Sequence, residues 1–258
     1  MIIDDYDKAQ GHWILAQMGK RVLRPGGKRL THKLIENLNV DSTDAVVEFA
    51  PGIGYTAQLV LKLNPKSYCG IDLNPQVVAD LRKKITNSRA NFLVSNAAET
   101  GLAEAGLDKV FGEAMLTMHA DYRKEEIVRE AFRILKKGGF YAIHELGLVP
   151  GSISTEKKSE IYQDLSRTIK VNARPLTEAE WVDLLEKSGF TIQKIERNSM
   201  KLLEPTRIIG DEGFFRALRI GFNILRYPAA RRRVRAIRSV FQKHKVHINA
   251  LMILARKS

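Results

Sequence analysis

Apolar positions change their spacing several times along the chain, and each change predicts an element. Residues 8–24 mix polar and apolar side chains, with Trp13, Ile14, Leu15, Met18 and Val22 spaced as on a helix, until Arg24-Pro25-Gly26-Gly27 breaks the run. Leu30, Leu34, Ile35 and Leu38 repeat at helical spacing within 30–39. Short apolar runs follow at Ala45–Phe49, Ser67–Asp72, Ala90–Val94, Asp108–Met115 and Phe140–Glu145, each reading as a buried strand. Between them, Thr56–Leu63, Pro75–Ile85 and Lys124–Leu135 read as helices. Strand and helix alternate from 45 to 145, which predicts a parallel, doubly wound α/β sheet.

The rhythm then changes. Residues 147–175 are polar and helix-like. Glu178–Lys187 reads as a helix with Thr177 as N-cap and Gly189 as its stop. Phe190–Glu196 is a sixth strand, Met200–Leu203 is apolar and extended, and 211–226 and 229–244 are helices parted by Pro228. Ile248–Leu254 is a seventh strand. One domain over 1–258 is expected. It has an N-terminal helical segment at 1–40, a core at 41–146 and 176–258, and helical cap insertions at 147–175 and 204–244.

Composition narrows the class. At 258 residues, with 44% hydrophobic and 28% charged side chains, the chain is globular and large enough to bury a core without cross-links. Its single cysteine, Cys69, excludes an intrachain disulfide and any site built on several thiolates. No metal site is expected. The start MIIDDYDKAQGHW lacks a basic, apolar leader, and no run of apolar residues is long enough to span a bilayer, so a cytoplasmic protein is expected.

Charge is uneven. The net +13 divides into +4 over 1–33, −2 over 34–200 and +11 over 201–258. The ends are therefore the parts suited to an anionic partner. An acidic small molecule, an anionic membrane surface and a nucleic acid all fit. A solvated basic face is the plainer reading.

Glu48-Phe49-Ala50-Pro51-Gly52-Ile53-Gly54 lies between a strand and a helix, where glycines let a ligand approach the backbone. Gly52-Ile53-Gly54-Tyr55-Thr56-Ala57 also fits the dinucleotide pattern, and Asp72 follows at the spacing of a ribose-binding acid. An NAD(P)-dependent oxidoreductase is thus one reading. Glu48 argues against it, because a carboxylate there suits an ammonium group and repels a pyrophosphate.

With these residues and the turn Leu135-Lys136-Lys137-Gly138-Gly139, the sequence resembles the class I S-adenosylmethionine-dependent methyltransferases, in particular the small-molecule branch that includes quinone-biosynthesis enzymes. The resemblance covers about 26–145 well and 176–196 acceptably. It implies a Rossmann-like, mostly parallel seven-stranded sheet whose last strand, Ile248–Leu254, is antiparallel. It implies S-adenosyl-L-methionine as cofactor, with Glu48 at the methionine amino end and Ala50, Gly52 and Gly54 around methionine and ribose. Asp72 would hold the ribose hydroxyls, Leu73 would lie beside the adenine, and Asn96-Ala97 would meet the adenine edge. Gly27, in the break before residue 30, would offer its amide to the methionine carboxylate, with Arg24 nearby. Ala50 and Asn96 stand where the family usually has glycine and aspartate.

Methyl transfer from a sulfonium needs alignment and exclusion of water more than a strong catalytic constellation. The acceptor is expected beyond the carboxyl ends of the strands, where His119, Asp121, His144 and Glu145 fall. His119 and His144 are the candidate general bases. Each could instead be a helix cap or a hydrogen-bonded core residue. Glu113 reads as a structural or cofactor-side acid. Tyr6, His12, Trp13 and Tyr162 are further candidates for the acceptor pocket, with core packing as the plainer role. The expected partner is a small-molecule acceptor, anionic or lipophilic. The helix at 229–244 sets Ala230, Val234, Ile237 and Phe241 on one stripe, with Arg231, Arg232, Arg235 and Arg238 mainly off it. Such a helix suits a cap with a wet basic face, or peripheral contact with an anionic membrane. RNA methylation through the basic end is a less favoured reading, as is a non-catalytic cofactor-binding protein.

Overall fold

The computed structural model describes residue 3 and residues 5–258; Met1, Ile2 and Asp4 of the expected N-terminal segment lie outside the described residues. The sheet runs in the order β3 (Ala90–Val94), β2 (Ser67–Asp72), β1 (Ala45–Phe49), β4 (Leu107–Glu113), β5 (Leu135–Leu148), β8 (Ile248–Lys257), β7 (Phe190–Ser199). Its first half is built from β1, β2, β3 and β4, all parallel. β5 continues the parallel set beside β4. β8 is antiparallel to both its neighbours, β5 and β7. The reversal in order between β1 and β4 opens a crevice at the carboxyl ends of the strands.

The helices that cover the sheet are α2 (Gly27–Leu38), α3 (Tyr55–Leu61), α4 (Pro75–Lys84), α5 (Asp121–Ile134) and α7 (Glu178–Lys187). Local chemistry sets their starts. The Asn74 side chain accepts the Gln76 amide at 2.9 Å ahead of α4. Thr177 and Glu180 form a reciprocal capping box at α7. One apolar layer joins Val47, Phe49, Tyr141 and Ile143 to α5 and to the buried Trp181 of α7. The other joins Val46, Phe111 and Met252 to α2, α3 and α4.

Several boundaries differ from the sequence expectation. The helix expected over 8–24 is only α1 (Gly11–Gln17), because Gly19 turns the chain at φ +104°. β5 is longer than the expected Phe140–Glu145, since β4, β8 and a two-residue strand, β6 (Leu176–Thr177), all pair with it. With β6 the sheet has eight strands rather than seven. Residues 147–175 hold α6 (Thr155–Ile169). Between β7 and β8 come three helices instead of two: α8 (Pro205–Glu212), α9 (Phe214–Arg226) and α10 (Pro228–Lys243). Gly213 at φ +83° separates α8 from α9, and Met200–Leu203 turns instead of extending. Among the described residues no helix is long and apolar enough to cross a membrane.

Candidate active site

β1 ends in the loop 50–54. Its first residue, Ala50, holds φ +53° and donates its amide to the Ile71 carbonyl at 2.8 Å. A side chain in this left-handed region costs on the order of 1–2 kcal/mol, which is why glycine is usual there. Gly52, at φ +56°, faces open space: a Cβ there would approach nothing nearer than the Ala50 carbonyl oxygen at 4.0 Å. Gly54 instead packs inward, where a Cβ would meet Leu81 at 2.6 Å. Gly52 thus belongs to a ligand-facing surface, and Gly54 to the fit of the loop against α4.

The loops after β2 and β3 close on this turn. Asp72 accepts the Asn74 amide at 2.9 Å. Burial raises its pKa, and the Asn74 and Gly52 amides pull it back down. The Ser95 amide donates to the Asp72 carbonyl. Leu73 is 71% exposed, an apolar side chain held open beside the acid. Asn96 accepts the Ala98 amide at 3.0 Å, which leaves its NH₂ unused by that bond, and Ala97 packs against the apolar layer. The structure therefore gathers Ala50, Gly52, Asp72, Leu73, Asn96 and Ala97 at one edge. A half-buried acid, an exposed apolar shelf and an open glycine fit an adenosine with a methionyl tail.

Glu48 lies one layer below. It is buried, and Tyr68 donates its hydroxyl to it. Burial pushes its pKa up to about 8; the Tyr68 hydrogen bond opposes the rise, and the nearby carboxylates of Glu113 and Asp72 add to it. Glu113, at the end of β4, behaves oppositely. Burial alone would raise it, but the Arg24 guanidinium at 2.6 Å, His144 at 2.7 Å and the Thr31 hydroxyl at 2.6 Å hold it down at about 2. Thr56 of α3 donates to the same carboxylate at 2.5 Å. Arg24, expected near a methionine carboxylate, is thus paired inside the protein.

His144 is fully buried, with one ring nitrogen on Glu113 and the other on the Pro25 carbonyl. Both nitrogens face acceptors, so neither is presented to a pocket. His119 follows the 3₁₀ turn Leu116–Met118; burial lowers its pKa, as do Arg123 and Lys124. Glu145 is fully buried and accepts the amides of Met115, Leu116 and Thr117, fixing that turn. Gly27 corrects an expectation. A Cβ on it would meet the Asp211 carboxylate at 2.5 Å, and the Lys28 amide donates to Asp211 at 3.0 Å. The anion at the start of α2 is the protein's own.

Beyond β4 and β5 lies an apolar cavity. Leu15, Leu23, Leu146, Val171, Ile237 and Phe241 form its walls, with His12, Thr117 and Glu145 as polar points. Pro25 and Ala114 also line it, which sets the cavity beside the Arg24–Glu113–His144 network. His12 is half-buried, and desolvation lowers its pKa to about 4. Tyr162 is not among the walls; its hydroxyl donates to the Pro175 carbonyl at 2.9 Å. Trp13 lines a separate groove with Gly52 and Ile53. Sequence reasoning missed Thr31 and Thr56, which only a known partner acid would have signalled. It also missed most of the cavity walls, whose positions carry no local motif. Burial pushes the Cys69 thiol up to about 11, which keeps it protonated at neutral pH. Elsewhere Glu160, Asp164 and His244 converge, but the Lys243 ammonium lies 2.9 and 2.7 Å from the two acids and supplies the cation there.

Comparisons with known proteins bear on the family and the fold. A family model described as a methyltransferase domain matches residues 47–143, from β1 through most of β5. An uncharacterized protein of Haemophilus influenzae is 32% identical over 249 residues, covering 93% of this chain and 96% of its own. Among solved structures, the [4+2]-cyclase SpnF superposes with a TM-score of 0.72 at 18% identity, over 98% of this chain and 94% of its own. Phosphoethanolamine N-methyltransferase 2 of Haemonchus contortus, solved with S-adenosyl-L-methionine, superposes with a TM-score of 0.71 at 19% identity, over 96% of this chain and 56% of its own. At these identities the two structures speak for the fold, and the family match decides between a nicotinamide and a sulfonium cofactor. With the methyltransferase domain at residues 47–143, the chain belongs to the class I S-adenosylmethionine-dependent methyltransferases, a family of enzymes whose cofactor is S-adenosyl-L-methionine.

Proposed function

We propose that the acceptor is a small, predominantly apolar molecule bearing one polar nucleophilic group. The observation that carries this reading is the lining of the cavity beyond β4 and β5. It has apolar walls, one carboxylate already committed to backbone amides, and no lysine or arginine. An anionic acceptor would enter it without a counter-charge, at a desolvation cost of several kcal/mol. The lipophilic alternative is therefore favoured over the anionic one, and over a phosphate-bearing RNA.

In this reading Gly52, Asp72, Leu73, Asn96 and Ala97 hold the cofactor, whose sulfonium supplies an activated methyl group. Glu48 stands below to meet the methionine ammonium. Arg24, Glu113 and His144 hold the segment 24–27 at the edge of the cavity, so His144 acts through Pro25 and not on the acceptor. His12, not His119, is the imidazole that meets the acceptor. With its pKa near 4 it is neutral at pH 7 and accepts a hydrogen bond from the nucleophilic group. Ile237 and Phe241 of α10 exclude water over the acceptor.

The test is methyl transfer from labelled cofactor to a panel of neutral aromatic or polyene alcohols and to matched carboxylates and phosphates. Neutral apolar members should be methylated. Ile237→Ala should raise their KM about tenfold, the loss expected for about two buried methylenes and a cavity, with cofactor affinity unchanged. Preference for the charged members would overturn the reading.

A further inference from the structure

The cap carries a second apolar surface, on its outside. In α9, Phe214, Phe215, Leu218, Phe222 and Leu225 are all exposed, Phe215 by 85%. At 3.6 residues per turn these five span an arc of roughly 100°. The opposite side of α9 is its packed side, with Ile220 buried and Asn223 donating to the Met18 carbonyl. Phe214, Leu218 and Leu225 also line a groove of about 440 Å³ shared with α10.

The charges around this surface are of one sign. Residues 213–243 contain no aspartate or glutamate. Arg219 and Arg226 flank the apolar arc on one side, and Arg231, Arg235 and Arg238 line the groove on the other. Some cations of the stretch are committed within the protein. Arg233 donates to the carbonyls of Tyr6, Ala9 and Thr168, Lys243 pairs with Glu160 and Asp164, and Arg232 lies 3.9 Å from Asp7. Arg216, Arg219, Arg226, Arg231, Arg235 and Arg238 have no ion pair among the described residues.

We propose that α9, with the arginine-bearing face of α10, docks the enzyme on an anionic phospholipid bilayer. The aromatic and leucine side chains would enter the headgroup–acyl boundary and the arginines would lie at the level of the phosphates. Charge complementarity selects this occupant. A second copy placed face to face would bring two sets of unpaired arginines together. A nucleic acid would satisfy the arginines but leave Leu218 and Leu225 against a polar strand. The surface also lies one helix away from the acceptor cavity. Leu15 lines both, and in α10 Val234 faces the groove and Ile237 the cavity. Docking does not depend on which acceptor is used, and its test contains neither cofactor nor acceptor.

The experiment is co-sedimentation of the full chain with vesicles of equal parts phosphatidylglycerol and phosphatidylcholine, and with phosphatidylcholine alone. Binding to the anionic vesicles is expected, weakening as salt is raised. The double variant Phe215→Ser, Phe222→Ser should lower partitioning at least about tenfold. Arg219→Gln with Arg226→Gln should lower it about fivefold per arginine. All these side chains are exposed, so both variants should match wild type in melting temperature and cofactor affinity. No wild-type binding, equal binding to both vesicles, or variants that partition like wild type would overturn the proposal. So would a dimer that the phenylalanine variants dissociate, or RNA binding lost only in the arginine variants.

Discussion

Asp72 owes its place to two loops at once: β2 ends on it, and its carboxylate receives amides from its own turn and from the glycine loop. Replacing it with alanine removes the carboxylate proposed to accept the ribose hydroxyls. A charge-assisted hydrogen bond contributes about 1.5–3 kcal/mol, so Asp72→Ala should weaken cofactor binding about 10- to 150-fold. Calorimetric titration with S-adenosylhomocysteine reads this directly, and an unchanged affinity would move the ribose elsewhere. Ala50 shows a residue-scale departure that the fold tolerates: its strained φ is secured by the bond from its amide to Ile71.

At the scale of elements, the cap is held to the N-terminal segment by α8. Glu212, its last residue, accepts the amides of Arg21 and Val22 at 2.7 and 2.8 Å, and the buried Lys20 lies 3.7 Å away. Asp211 beside it receives the Lys28 amide. Glu212→Ala leaves two amides without partners and Lys20 with one carboxylate fewer. A local loss of about 3 kcal/mol is expected, because a buried charge loses part of its compensation. Limited proteolysis should then cut 205–243 faster, while the 45–145 core keeps its protection. An unchanged cleavage pattern would mean that packing of α10 against α1 and α6 is enough to hold the cap.

At the scale of the whole molecule, the buried Glu48 and the half-buried His12 give stability an opposing dependence on pH. His12 titrates near 4 when folded and near 6.5 when unfolded, so the unfolded chain binds more protons between those values and stability rises with pH there. Glu48 titrates near 8 when folded and 4.5 when unfolded, so the folded chain binds more protons and stability falls as pH rises through that window. The slopes offset each other up to about pH 6.5, and above it the Glu48 slope stands alone. Stability should therefore drop by about 2 kcal/mol from pH 6.5 to 8, and in Glu48→Gln this drop should vanish. Urea titrations at the two pH values measure it. An equal drop in both proteins would show that Glu48 ionises in the fold near its ordinary pKa.

The parallel half of the sheet and the loops that carry Gly52, Asp72 and Asn96 at its strand ends were legible in the sequence. Each is a local pattern: apolar runs of strand length, helices with their own caps, and loop residues chosen for backbone geometry. The three-helix insertion before β8 was legible in outline for the same reason. Its split at Gly213 was not, because a lone glycine inside an apolar helical run also fits a continuous helix. What tertiary structure alone decided is how distant residues meet. Gly27 faces Asp211, Arg24 is paired with Glu113, and His144 is locked between Glu113 and Pro25, where the sequence leaves a structural role and a site role both open. The acceptor cavity takes its walls from α1, the loop before α2, β5, α6 and α10, and none of these segments carries a motif for it. Periodicity states that a side chain is turned inward. Which inward-facing side chains leave space between them depends on how the helices cross the sheet, and that is set by packing over the whole chain.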